Sequence, residues 1–121
     1  VKTRYGIPML RVSVDLIDIT DFKWSAEEMY QIPDVRGSVY LVTRIEVAEE
    51  LRGQGLARQA VRTLLDDADA ESVNLVLTCQ PDGSHKSLTH SQLKAWYERL
   101  GFVQFQGDYP EMYRKPQVRN P

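Results

Sequence analysis

Apolar residues fall into blocks of two different periods along this chain. Between Leu10 and Ile19, "LRVSVDLIDI" alternates at Val12, Val14 and Leu16, then changes parity to Ile17 and Ile19. Alternation marks a strand with one covered face, and the parity change predicts a bulge or an end near Leu16. "SVYLVTRIEV" (Ser38–Val47) is the clearest strand. Its odd positions, Val39, Leu41, Thr43, Ile45 and Val47, give a mostly apolar face, and Tyr40, Val42, Arg44 and Glu46 give a mixed one. "VNLVLTC" (Val73–Cys79) is short and apolar, as expected of a central strand covered on both faces.

The other period is helical. Leu56, Ala57, Ala60, Val61, Leu64, Leu65 and Ala68 recur at three- and four-residue steps, which predicts a helix with one apolar stripe to about Ala70. "THSQ" (Thr89–Gln92) reads as a capping box opening a second helix through Leu100, and Gly101 fits the left-handed residue that ends it. Ser25 is a candidate cap for a short helix over "AEEMYQ", stopped at Ile32–Pro33. "FVQFQ" and "EMYRKP" read as two closing strands around a "GDYP" turn. The order is strand, short helix, strand, helix, strand, helix, two strands: a mixed α/β sheet with helices packed on it. With no repeat and no linker, residues 1–121 read as a single domain.

Composition narrows the setting. A chain of 121 residues, 42% hydrophobic and 26% charged, suits one soluble domain with a modest core. Its apolar runs are far too short for a bilayer, and "VKTRYGIPML" lacks the apolar stretch of a signal peptide. The single Cys79 excludes an intrachain disulfide and fits a reducing, cytoplasmic location. A net charge of −2 with scattered basic residues argues against nucleic acid as a partner, and no membrane partner is expected. A homodimer stays open. Two histidines and one cysteine are too dispersed for metal-ligand spacing, so no metal is expected.

The chemistry concentrates in "LRGQGLARQAV" (Leu51–Val61), where a strand feeds a glycine-rich turn and a helix start. First-turn amides lack helical partners and lie at the positive end of the helix dipole, and glycine lets an anionic oxygen approach them. A P-loop needs a Gly-Lys pair that this chain lacks. The dinucleotide fingerprint begins at Gly53 and Gly55 but meets Arg58 where its third glycine belongs. With Glu71 near the offset of a ribose-binding acid, that reading stays as a minor alternative.

"RGQGLA" (Arg52–Ala57) resembles the acyl-CoA pyrophosphate loop of the GNAT superfamily of N-acyltransferases, matched at Arg52, Gly55 and Ala57. "LKAWYERLGFV" (Leu93–Val103) resembles the later signature of the same family, matched at Tyr97, Gly101 and Phe102. The resemblance covers Ser38 to Pro116, with both motifs in the family's order, and the segment before it looks like a shortened amino-terminal half. It implies a mostly antiparallel mixed sheet, helices on both faces, and two splayed central strands. The implied reaction is direct transfer of an acyl group from acetyl-CoA to an amine of a small molecule or peptide. In the family the pantetheine arm lies between the splayed strands and pairs with backbone here at Ile45 to Val47, while the loop around Arg52, Gly53, Gln54, Gly55, Leu56, Ala57 and Arg58 takes the pyrophosphate. His90 falls where many relatives carry a cofactor-binding asparagine.

Tyr97 is the implied general acid for the departing thiolate, against the alternative of an ordinary helix-face aromatic. Some relatives carry a glutamate base early in the fourth strand, where this chain has Val39 and Tyr40. Glu46 is the remaining carboxylate on that strand and would act through water, the plainer reading being a solvated strand residue. Arg62 is a further phosphate candidate or a solvated face, and Cys79 a small buried residue. Asp15, Asp18, Glu27 and Glu28 hint at a cationic acceptor. An acyl-CoA-binding module without activity is the alternative function.

Overall fold

The computed structural model describes residues 1–7, 9, 11–22, 37–47, 55–79, 89–104 and 111–117. Strand β1 (Arg4–Ile7) runs antiparallel to β2 (Val12–Asp18), which runs antiparallel to β3 (Val39–Val47). The sequence pattern gave no hint of β1, whose four residues include Gly6 and only one buried side chain, Tyr5. On β2 the alternation holds: Val12, Val14 and Leu16 are buried and Ile17 is exposed.

The irregularity expected near Leu16 is present, but its extra residue belongs to β3. Asp15 pairs with Arg44 and Leu16 with Val42, so Thr43 is skipped. Its hydroxyl donates to the Asp15 carbonyl at 3.2 Å. This bulge corrects the single apolar face expected of the odd positions of β3. Val39 joins one apolar cluster with Val76, Leu41 packing beside it, whereas Val42 and Ile45 face the other side. A strand's own alternation cannot reveal an extra residue that its partner's register defines.

Helix α1 (Leu56–Ala70) then crosses to β4 (Asn74–Thr78), followed by α2 (His90–Arg99), β5 (Val103–Gln104) and β6 (Glu111–Arg114). The six strands lie in the order β1-β2-β3-β4-β6-β5, and every neighbouring pair is antiparallel except β3 with β4. β4 is buried over its first four residues, as a strand flanked on both edges should be.

The predicted stripe of α1 buries Ala60, Val61, Leu64, Leu65 and Ala68. They meet Val14, Leu16, Val42, Leu75, Leu77 and Met112 from the sheet and Tyr97 and Phe102 from the α2 region. Each fully buried aliphatic side chain there contributes roughly 1.5–3 kcal/mol. Both described helices therefore lie on one face, called here the helix side. The opposite, far side carries fully buried Val39 and Val76 with Ile19, Leu41 and Tyr113 packed against them. The short helix expected over "AEEMYQ" lies outside the described residues.

One buried ion pair ties this layer together. Arg114 of β6 donates from Nη1 and Nη2 to the two carboxylate oxygens of Asp69 on α1, at 2.7 and 3.0 Å, and from Nε to the Leu100 carbonyl at 2.8 Å. Both side chains are almost inaccessible, at 2% and 1%. The bond to Leu100 satisfies a carbonyl at the end of α2 that has no helical donor. Beside it Gly101 has φ +97°, and a Cβ there would stand 2.2 Å from Gln117 Nε2. Glycine is required on both counts.

Candidate functional site

β3 and β4 start as a tight parallel pair and then part. Their ladder covers only Val39–Leu41 against Asn74–Val76. Beyond it, β3 stays paired to β2 as far as Val47, and β4 stays paired to β6 as far as Thr78. The backbone edges that Val42–Val47 and Leu77–Thr78 turn toward each other thus share no ladder. The sheet opens into a wedge at the carboxyl ends of its two parallel strands. Ile45 and Val47, the backbone positions expected to meet a pantetheine arm, are both in the open part of β3.

The two helices begin in contrasting ways. At α2, Thr89 Oγ1 accepts from Gln92 N at 3.2 Å and Gln92 Oε1 accepts from Thr89 N at 2.9 Å, the reciprocal box that the sequence predicts. At α1 the cap is Gly55, which has no side chain to offer the first turn. The first intrahelical bond runs from Gln59 N to Gly55 O at 3.0 Å, which leaves the amides of Leu56, Ala57 and Arg58 without helical acceptors. That turn contains no acidic side chain, and Arg58 on it is exposed. Gly55 has φ +74°, yet a Cβ added there would meet no atom of the described residues within 4 Å. The dipole at this helix start favours an anion. Leu56 and Ala57 are half-buried. Arg52, Gly53 and Gln54 lie outside the described residues, as do the side chains of Val47 and His90.

Tyr97 is buried on the helix side, its ring 5.1 Å from that of Trp96 and 5.6 Å, edge-on, from that of Phe102. Among the described residues nothing hydrogen-bonds its hydroxyl. Burial, and then the nearby Cys79 thiol, push the phenol well above its ordinary range. Cys79 follows directly on β4, so the phenol stands at the open end of the wedge. The same burial raises the Cys79 thiol. Cys79 is 1% exposed, the small buried residue expected of it.

Glu46 is on the far side, since Ile45 beside it packs toward the helices. Arg44 Nη2 stands 2.5 Å from its Oε2 and Arg11 Nη2 3.4 Å from its Oε1. Arg62, about two turns beyond Gly55, lines a pocket of about 400 Å3 with Asp66, Arg99 and Arg114, between α1 and the end of α2. One carboxylate was missed by sequence reasoning altogether. Glu111 opens β6, and its Oε2 is buried with no hydrogen-bond partner among the described residues. A glutamate beginning a short strand gives no sequence signal of burial.

Among the described residues, no group of three or more His, Cys, Asp or Glu side chains is placed to hold a metal, and no helix is long and apolar enough to cross a membrane.

No curated protein matches the chain. Two similar solved structures are described as "The crystal structure of KacTA-DNA complex", at 15% identity and TM-score 0.48, and a crystal structure of a tyrosine-to-phenylalanine mutant of KacT, at 14% and 0.48. Each match covers 87% of this chain, against 57% and 61% of the other, so the chain spans about three fifths of their length. The exclusion of nucleic acid as a partner is withdrawn, and the description of the first structure names a complex with DNA. Net charge sums the whole chain and does not describe any one face or assembly. Residues 22–80 match the model of the GCN5-related N-acetyl-transferase family. That match spans just under half of the chain, from before β3 to beyond the end of β4, and makes this stretch similar to the GNAT superfamily of N-acyltransferases.

Proposed function

We propose that the protein transfers an acetyl group from acetyl-CoA directly to an amine of a small molecule or peptide. The observation that carries this reading is the opening of the β3–β4 seam beside an uncapped helix start. Diphosphate oxygens would accept from the free amides of Leu56 to Arg58, and the pantetheine arm would lie along Ile45 to Val47. Arg52, Gly53 and Gln54 would complete the loop, with His90 at the cofactor's flank. Acetyl-CoA is a co-substrate here, and the mechanism calls on no metal.

Attack by a neutral amine on the thioester carbonyl gives a tetrahedral oxyanion, which a β3 amide in the open edge would stabilise. Collapse breaks the carbon–sulfur bond and leaves the CoA thiolate, to which Tyr97 gives its proton. In water that transfer is uphill by about 2 kcal/mol, from a phenol near 10 to a thiol near 8.5. Burial makes the phenol a weaker acid, but it acts on a thiolate in the same place too. Cys79 gauges this: its thiol, in the same cluster, is also raised by burial. Glu46 would take the amine's proton through water, against the pull of Arg44 and Arg11.

The test is free-thiol release from acetyl-CoA over a panel of amines, together with thermal unfolding in the presence of CoA. Turnover with CoA protection is expected; neither appearing would overturn the reading. The ion pairs on Glu46 favour a second reading, an acyl-CoA-binding module without activity. Protection by CoA without transfer to any amine would select it.

A further inference from the structure

Two glutamates lie on the far side near the wedge, and described arginines hold one of them. Glu46, on the β3 flank, meets Arg44 and Arg11. Glu111, on β6, one strand behind the β4 flank, keeps a buried carboxylate oxygen with no hydrogen bond from any described residue. Its position follows from the ladders. Glu111 pairs with Thr78, two residues beyond Val76, where the β3–β4 ladder ends. It is therefore level with the open part of the wedge. Its face follows from alternation: Met112 packs into the helix-side cluster and Tyr113 onto the far-side one, so Glu111 shares the face of Tyr113. Thr78, its cross-strand neighbour, is exposed. Tyr97 stands on the opposite face.

A buried carboxylate oxygen without a donor is costly, and native structures keep few of them. A cationic nitrogen is the partner that relieves this cost best, because it brings both the opposite charge and donors. We propose that Glu111 is the acceptor-binding carboxylate, receiving on the far side of the wedge a positive nitrogen of the acceptor other than the one that attacks, while the acyl donor's sulfur faces Tyr97. This rests on the acyl-transfer reading for its reaction, though the binding site itself can be tested separately. It narrows the acceptor to amines that carry a second, positively charged nitrogen, and gives Glu111 the selection of charged over neutral molecules.

The experiment titrates the full-length chain, with and without CoA, with the diamine cadaverine and with pentanediol, a neutral molecule of the same length, following backbone amide signals by NMR. Cadaverine is expected to shift Thr78, Glu111 and Met112 saturably, and pentanediol to leave them in place. Glu111→Gln should weaken cadaverine about tenfold, the loss of one charge-assisted contact, while thermal protection by CoA is retained. Glu111→Asp, which keeps the charge, should keep the preference for cadaverine over pentanediol and covers the case in which the glutamine variant folds poorly. Equal responses to the two probes, no saturable response in the unaltered protein, or unchanged affinity in Glu111→Gln would each overturn the proposal. Cadaverine binding at Glu111 in a protein that CoA does not protect would leave this site standing and sink the acyl-transfer reading instead. CoA protection without cadaverine binding would do the reverse.

Discussion

The two ends of the β3–β4 seam are made of the same two strands and behave as opposites. At the closed end, Asn74 donates its backbone N–H to Ser38 O at 2.8 Å and its side-chain amide to the same oxygen at 3.1 Å. Val39 N donates to Thr20 Oγ1 at 3.1 Å and Val39 O accepts from Ile19 N at 2.8 Å. Asp18 accepts from both the hydroxyl and the N–H of Thr20, which hold its carboxyl below the usual range. At the open end, among the described residues, stand an unpaired strand edge, a helix start without a side-chain cap, a phenol without a partner and a carboxylate oxygen without a donor. Satisfied groups stabilise a fold, and unsatisfied ones wait for a ligand. Changes at the closed end should thus be read in stability, and changes at the open end in binding and rate.

The largest effect belongs to the closed end. Arg114 pairs across the ladder with Leu75, whose neighbour on β3 is Tyr40, and its guanidinium is buried against Asp69. Arg114→Ala would take the guanidinium from the buried Asp69 carboxylate, which keeps the Gln117 N–H, at a cost of about 3–5 kcal/mol. Urea unfolding should show this as a large fall in midpoint. A loss below about 1 kcal/mol would mean that the pair does not hold the layer together.

Next is Tyr97→Phe. The ring contacts with Trp96 and Phe102 survive and an unbonded hydroxyl is lost, so stability should hold within about 1 kcal/mol. Turnover should fall about 100-fold, at the lower end of the range for a general acid. The raised phenol also sets the sign of an alkaline effect. In the unfolded chain tyrosine ionises near 10, below its folded value, so the unfolded state loses the proton first. The contribution of Tyr97 to stability is complete below pH 10 and fades as pH climbs toward the folded value. Tyr5 adds to the same trend, raised by burial and by its 2.6 Å hydrogen bond to Asp67. Alkaline unfolding of the phenylalanine variant should therefore be shallower than that of the parent.

Glycines from the two regions sharpen the contrast further. Gly55→Asn keeps a residue tolerant of the left-handed conformation and adds bulk where no protein atom stands within 4 Å. CoA affinity should drop about tenfold with little change in melting temperature. Gly101→Asn drives a side chain into Gln117 and the Arg114 guanidinium. Melting temperature should fall while CoA affinity per folded molecule holds. If both variants respond alike, the division into a structural and a binding glycine fails.

What the sequence made legible was local. The α1 stripe, the Thr89–Gln92 box, the Gly101 terminus and the buried β4 follow from period and capping chemistry within a few residues. What stayed hidden was pairwise and distant. Thr43 is a bulge only against the register of β2, the wedge exists only where the β3–β4 ladder stops, and Arg114 meets Asp69 across 45 positions. Of the candidate site, the helix start at Gly55 and the buried Tyr97 are legible because they lie in motifs. Glu46 was chosen because it shares a strand with the expected base, and its arginine partners were invisible. Glu111 was passed over because its burial comes from tertiary packing.

The smallest predicted effect tests the choice between these two glutamates. Exposed ion pairs contribute about 0–1 kcal/mol each, and both partners of Glu46 are mostly exposed, Arg44 at 62% and Arg11 at 72%. Glu46→Gln should therefore shift the unfolding midpoint by no more than about 1 kcal/mol, and less in high salt, where the arginines are screened anyway. As a base acting through water, and already engaged, Glu46 has little rate to lose: about tenfold, well short of the Tyr97 variant. Acceptor selectivity gives the cleaner readout. Replacing Glu46 removes a charge that two guanidinium groups already balance, so the preference for cationic over neutral acceptors should persist. A variant that lost that preference would move acceptor recognition from β6, behind the β4 flank of the wedge, to the β3 flank.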